Sequence, residues 1–195
     1  MINRLAIIGV GLIGGSLARA LRDAGHVREI VGHGRGFANL QRAVDLGVID
    51  RVETTLPAAV RAADMVVLAT PVGGMKKILR AIAPYLAPDA VVTDVGSVKG
   101  VIVDAARKLL GKRFANFVPG HPIAGTERSG VEASFASLYV GRRVVLTPLP
   151  ETRAEAVQRV RAMWQAAGAE VVTMTVEHHD TVLAATSHLP HLLAY

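Results

Sequence analysis

The sequence predicts a doubly wound α/β domain followed by the opening helix of a second domain. Three observations predict it. Short apolar, β-branched runs alternate with amphipathic stretches of helical period. The first such run leads straight into a glycine-rich turn and a helical pattern. From residue 177 the alternation stops, and a helical pattern follows with no further strand. Strand–helix alternation argues for a largely parallel sheet with helices on both faces.

In chain order, strands are expected at 5–8, 30–32, 65–69, 90–93, 117–118, 144–147 and 170–173. Several are apolar without alternation, as suits strands buried on both faces of a parallel sheet. Helices are expected at 12–24, 37–46, 73–83, 98–110 and 153–167. The last has Thr152 and Glu155 at capping-box spacing, an apolar stripe of Val157, Val160, Trp164 and Ala167, and a closing Gly168. Residues 1–176 therefore read as one domain. Residues 177–195 read as the first helix of a second, with Val182, Leu183, Thr186, Leu189 and Leu193 on one face and its remainder absent.

Hydrophobic residues make up 51% of the chain but aromatics only 4%, so the core must be built from Val, Leu, Ile and Ala. No apolar run approaches the roughly 18 residues of a membrane span. The N-terminal apolar run leads into glycines rather than a cleavage site, so it does not read as a signal peptide. There is no cysteine, which excludes disulfides, thiolate catalysis and Cys-based metal sites. The chain reads as soluble and cytoplasmic. Its net charge of +6 comes from scattered basic residues with few aromatics between them, a pattern of solvated helix faces rather than of nucleic-acid binding. A basic surface does favour an anionic small substrate or a phosphorylated cofactor.

The stretch LAIIGVGLIGGSLARAL carries Gly9-x-Gly11-x-x-Gly14 between a strand and a helix, the context a Rossmann-type dinucleotide fingerprint requires. Gly9 makes the tight turn, Gly11 lets the backbone approach a pyrophosphate, and Gly14 lets helix pack on strand. The helix start at Leu12 and Ile13 offers N–H groups and positive dipole to the anion. An NAD-binding unit usually places an acidic residue about 20 positions on, for the ribose hydroxyls. Here Gly32, His33, Gly34 and Arg35 stand instead. Arg35 facing a 2′-phosphate favours NADP; the alternative is that Arg35 is simply exposed and NAD serves equally. Two further strands end in short loops, one at Thr70-Pro71 and one holding Asp94, Gly96, Ser97 and Lys99. Ligands in such sheets sit beyond the carboxyl ends of the strands, which puts Thr70, Pro71, Ser97 and Lys99 near cofactor or substrate. Ser97 has a second reading, as N-cap of the helix that follows.

In PGHPIAGTERSG, Pro122 forces an extended backbone on His121 and Gly120 relieves crowding beside it. An imidazole held this way beside a dinucleotide site can take a hydroxyl proton as hydride leaves. Of the terminal histidines, His178, His179, His188 and His191, His179 and His188 fall on opposite helix faces, and His188 and His191 share a face but have no carboxylate at ligand spacing, so no metal site is expected.

Taken in order, GVGLIGGSLA, ATPV, DVGSVK, GHPIAGTERSG and HDTVLAATSHLPH resemble the prephenate dehydrogenases, including the arogenate and cyclohexadienyl dehydrogenases, over nearly the whole chain. The HPIAGTE and SHLPH pair is the specific part. The resemblance implies NAD(P)-dependent oxidative decarboxylation of prephenate to 4-hydroxyphenylpyruvate in tyrosine biosynthesis. It implies that His121 accepts the ring hydroxyl's proton, that Ser97 orients histidine and hydroxyl, and that Glu127 gates the substrate pocket. It places His188 and His191 near nicotinamide and substrate. It also implies a helical domain that forms a homodimer and supplies an arginine to a substrate carboxylate. A dehydrogenase of another hydroxy acid, or a non-catalytic dinucleotide-sensing module, remains the alternative.

Overall fold

The computed structural model describes residues 1–185. Its first sheet holds β1 (Ile2–Ile8), β2 (Val27–His33), β3 (Arg51–Val52), β4 (Met65–Leu68), β5 (Val91–Asp94) and β6 (Phe117–Val118), all parallel, in the order β3-β2-β1-β4-β5-β6. This is the doubly wound order, with its switch point between β1 and β4. Connecting them are α1 (Leu12–Asp23), α2 (Phe37–Asp45), α3 (Leu56–Val60), α4 (Val72–Ile82) and α5 (Gly100–Leu109). A second sheet, β7-β8-β9, comprises β7 (Gly120–Pro122), β8 (Arg143–Leu146) and β9 (Glu170–Thr173). β7 runs antiparallel to β8, and β8 and β9 run parallel, joined by α6 (Ala154–Ala166). α7 (Val176–Leu183) comes last.

Side chains alternate across the first sheet and both sets are buried. Leu5 and Ile7 of β1 and Met65 and Val67 of β4 face Leu17 and Leu21 of α1 and Val160 and Trp164 of α6. Ala6, Ile8, Val66 and Leu68 face Met75 and Leu79 of α4 and Ile102 and Ala106 of α5. That is why these strands read as continuous apolar runs. The first of these cores extends without a break to Val144 and Leu146 of β8, so the two sheets share it. Trp164 meets Tyr139 edge to face, with ring centroids 5.1 Å apart, and the Tyr139 hydroxyl donates to the Ile13 carbonyl at 2.6 Å.

Four local expectations change. The capping box at Thr152 does not form: Arg153 is the N-cap of α6, and the Thr152 hydroxyl accepts from the Leu149 amide and donates to the Phe117 carbonyl. Ser97 does not cap α5, whose start is capped from a distance by Asp180. His121 falls outside the expected strands but lies on one, β7, with Gly120 and Pro122 buried against β8. β3 and α3 are additional elements; Thr55 caps α3 by accepting from the Ala58 amide, with Pro57 in its first turn.

Candidate active site

At the carboxyl end of β1, Gly9 adopts φ 104°, and a Cβ there would lie 2.3 Å from the Ala69 carbonyl oxygen. A Cβ on Gly14 would lie 2.3 Å from the Gly9 carbonyl oxygen and 2.9 Å from Ile7 Cγ2. Only glycine lets α1 approach β1 this closely. Gly11 is different: nothing lies within 4 Å of where its Cβ would stand. It is the N-cap of α1, with no side chain capping the helix and no acidic residue in the first turn. The unclaimed N–H groups and the helix dipole there suit an anion. Leu12 is buried and Ile13 half-buried, so their side chains anchor the turn while their amides start the helix.

Around this turn, the Thr70 hydroxyl is buried with no hydrogen-bond partner among the described residues. Pro71 is the N-cap of α4. At the end of β2, His33 Nδ1 donates to the Glu53 carbonyl at 2.8 Å, which leaves Nε2 as an acceptor, and burial lowers the ring's pKa. Arg35 stands exposed just beyond. An open helix start, an orphaned hydroxyl and close-packed glycines together fit a dinucleotide.

The second part of the site lies past β5. Lys99 is fully buried, and its ammonium pairs with the Asp94 carboxylate and donates to the Gly120 carbonyl at 2.6 Å. Burial pulls this amine below the ordinary lysine range, while Asp94 opposes the shift. Asp94 also accepts from the amides of Gly96 and Gly120. Lys99 is therefore a strut that fixes the backbone entering β7.

On that strand His121 is half-buried, and its Nδ1 lies 2.9 Å from Nε2 of His179 on α7. His179 is itself fully buried, and its Nδ1 lies 2.7 Å from Asp180 Oδ1. The Asp180 carboxylate accepts from the amides of Lys99 at 2.8 Å and Gly100 at 2.9 Å, at the start of α5. Burial alone would raise its pKa, but these amides and the His179 ring outweigh that and hold it below the usual aspartate value. Burial also holds His179 below an ordinary imidazole. α7 thus docks on α5 through a buried polar chain that begins at His121.

His121 opens onto a cleft of about 750 Å³, lined also by Thr126, Phe135, Ser137, Arg142 and Leu183. Glu127 is exposed and lines an adjoining cleft that shares Thr126 and Phe135. Ser97 is exposed on the loop between β5 and α5, and His179 is a partner of the His121 ring among the described residues. His188 and His191, like Thr186, Leu189 and Leu193, lie outside the described residues. In the sequence Asp180 carries no signal of its own, and His179 reads only as a poor metal ligand. Two neighbouring polar residues at the start of a helix carry no local sign of a partner 58 residues away in sequence.

A family model described as the nucleotide-binding domain of prephenate dehydrogenase matches residues 17–173. The chain is 39% identical over 193 residues to a cyclohexadienyl dehydrogenase of Zymomonas mobilis, covering 99% of this chain and 65% of that protein. A crystal structure of prephenate dehydrogenase from Aquifex aeolicus, in complex with hydroxyphenyl propionate and NAD+, superposes with a TM-score of 0.93 at 40% identity. The superposition covers 100% of this chain and 67% of that one. A Synechocystis arogenate dehydrogenase superposes with a TM-score of 0.88 at 34% identity, covering 96% of this chain and 65% of that one. The chain spans about half to two thirds of the length of the curated relatives that it matches along nearly its whole extent. With a glycine turn open to a nucleotide, a doubly wound sheet and these likenesses, the chain belongs to the prephenate dehydrogenase family and carries its nucleotide-binding domain.

Proposed function

We propose that the protein carries out the NAD(P)-dependent oxidative decarboxylation of prephenate to 4-hydroxyphenylpyruvate, with His121 as the acceptor of the hydroxyl proton. The observation that carries this reading is His121 itself. It is held on a rigid strand past the carboxyl end of β5, on the lip of a cleft, in a chain whose first turn is open to a dinucleotide. A bound nicotinamide would supply the hydride acceptor. His121 draws the proton from the ring hydroxyl as hydride leaves the same carbon, then returns it to that oxygen once carbon dioxide has departed and the ring is aromatic. The net reaction moves one hydride and releases carbon dioxide without consuming a proton. Ser97, exposed beside this route, orients the hydroxyl, and Glu127 gates the adjoining cleft. His188 and His191, which lie outside the described residues, are assigned to substrate binding by the family resemblance.

Arogenate is the second reading, favoured by the Synechocystis relative. The exposed Arg35 supports NADP, and the NAD+ held by the Aquifex relative supports NAD. We further propose that the full-length protein is a cytoplasmic homodimer. No helix among the described residues is long and apolar enough to cross a membrane. The decisive experiment gives the full-length protein prephenate or arogenate, each with NAD or NADP, and follows the reduced cofactor. Turnover with one of the four pairs is expected; dinucleotide binding without turnover on either substrate would identify a sensing module instead. Light scattering on the same sample tests the dimer.

A further inference from the structure

We propose that His179, oriented by Asp180, is the positioning residue that sets the tautomer of His121, so that Nε2 of His121 is the nitrogen that takes the substrate's proton. The catalytic half of this statement rests on the dehydrogenase reading above; the tautomeric half stands on geometry alone.

The chain of inference starts at Asp180. Its carboxylate receives two backbone amides at the start of α5, so it acts as an acceptor only. The bond to His179 Nδ1 must then carry its hydrogen on the imidazole side. His179 is fully buried, which disfavours a second proton on the ring, so its Nε2 is bare. A bare Nε2 at 2.9 Å from His121 Nδ1 can only accept, and His121 Nδ1 must donate. In a neutral imidazole the proton on one nitrogen leaves the lone pair on the other. Nε2 of His121 is therefore the basic nitrogen. The two rings meet edge to face, with centroids 5.1 Å apart and planes at 67°. The logic resembles that of a catalytic triad, in which a buried carboxylate holds an imidazole in its working tautomer.

One consequence is a switch. A proton placed on His179 Nε2 would donate to His121 Nδ1, move the His121 proton to Nε2 and remove its capacity as a base. The groups facing His179 are Asp180 on its own helix, His121 on β7, Lys99 at the start of α5 and Asp94 at the end of β5. Burial and Lys99 oppose that proton, whereas Asp180 and Asp94 favour it.

The test is nitrogen NMR of the imidazoles in the ¹⁵N-labelled full-length protein at neutral pH, with His121 assigned through His121→Asn. The expected spectrum has a protonated, pyrrole-like Nδ1 and a bare, pyridine-like Nε2 on His121. His179→Leu should scramble the two signals and lower kcat by about 10–100-fold, the scale on which partners that orient a reactive imidazole act. The KM for dinucleotide should hold. His179→Gln restores an acceptor and should recover the signals and most of the turnover. A wild-type His121 protonated on Nε2 would overturn the proposal whether or not the variants fold. So would His121 signals in His179→Gln that fail to match wild type, or unchanged signals in a folded His179→Leu. Loss of all activity on prephenate and arogenate would defeat the functional reading instead, and would leave the spectrum to decide the tautomer.

Discussion

Between Gly9 and Gly14 consecutive residues offer main-chain atoms to a ligand, and side chains are either absent or turned into the core. Between Asp94 and Asp180 the arrangement is reversed: side chains from β5, the start of α5, β7 and α7 converge, and the main chain only holds them. Both regions lie at the carboxyl edge of the same sheet. The first is local in sequence and leaves no room for a Cβ at Gly9 or Gly14. The second is long-range and depends on buried charge. A nucleotide is held by a shape that any chain with the right glycines can adopt, whereas proton handling needs particular functional groups at particular distances. The two should therefore fail in different ways.

The sharpest break is at Gly11. Gly11→Val should abolish dinucleotide binding and leave thermal unfolding almost unchanged, because its Cβ meets open space in the protein. Gly14→Ala should instead lower the melting temperature, since its Cβ would press on the Gly9 carbonyl. Isothermal titration and calorimetry on both variants separate the two roles. On the other side, His121→Asn should reduce turnover by about 10²–10⁴-fold while dinucleotide affinity is retained. Steady-state kinetics beside a binding titration checks it, and a joint loss of both would merge the regions that the structure keeps apart.

Lys99 tests whether buried charge is what holds the second region. Lys99→Met leaves Asp94 unpaired in the interior and should cost about 3–5 kcal/mol of stability, read by denaturant unfolding. A smaller effect comes from His179. Burial holds its folded pKa below that of an ordinary imidazole, so the unfolded chain takes up a proton first as pH falls. The stability it supports is complete above about pH 6.5 and declines below it. Asp180, whose folded pKa is lowered from 3.8, contributes stability that is lost only at more acid pH. His33 and His26 share the sign of His179, so the measurable quantity is the difference in unfolding free energy between wild type and His179→Gln, from pH 7.5 down to 5, which should change over this window. The smallest effect is expected at Arg35. Arg35→Ala should lower the ratio of NADP to NAD efficiency if its guanidinium meets a 2′-phosphate; an unchanged ratio would make Arg35 a surface residue.

The same contrast explains what was legible in the sequence. The alternation of strands and helices, the glycine turn and the switch to helix near residue 177 were all visible, because each is a local pattern. The helix in fact starts at Val176 and docks on α5 through Asp180. β3 is two residues long and shows no periodicity. α3 is five residues long, but Thr55 and Pro57 were a usable start signal. Strand β7 read as a loop because glycine and proline are poor strand formers; Pro122 is tolerated because β7 is an edge strand paired only with β8. The false capping box at Thr152 had the right spacing, but its hydroxyl is claimed by the turn that follows β8 and by the Phe117 carbonyl of β6. His179, Asp180 and the strut formed by Lys99 could not be read, since burial and partners 5 to 81 positions away come together only after folding.

The buried Lys99 makes the second region observable by chemistry that has nothing to do with catalysis. The chain has five lysines, and Lys76, Lys77, Lys108 and Lys112 are exposed whereas Lys99 has no accessible surface. An amine-reactive label applied to the native protein should mark those four at once and reach Lys99 only when β7 parts from the loop after β5. The rate of that slow labelling measures how often the strand carrying His121 comes loose, against four internal standards in the same molecule.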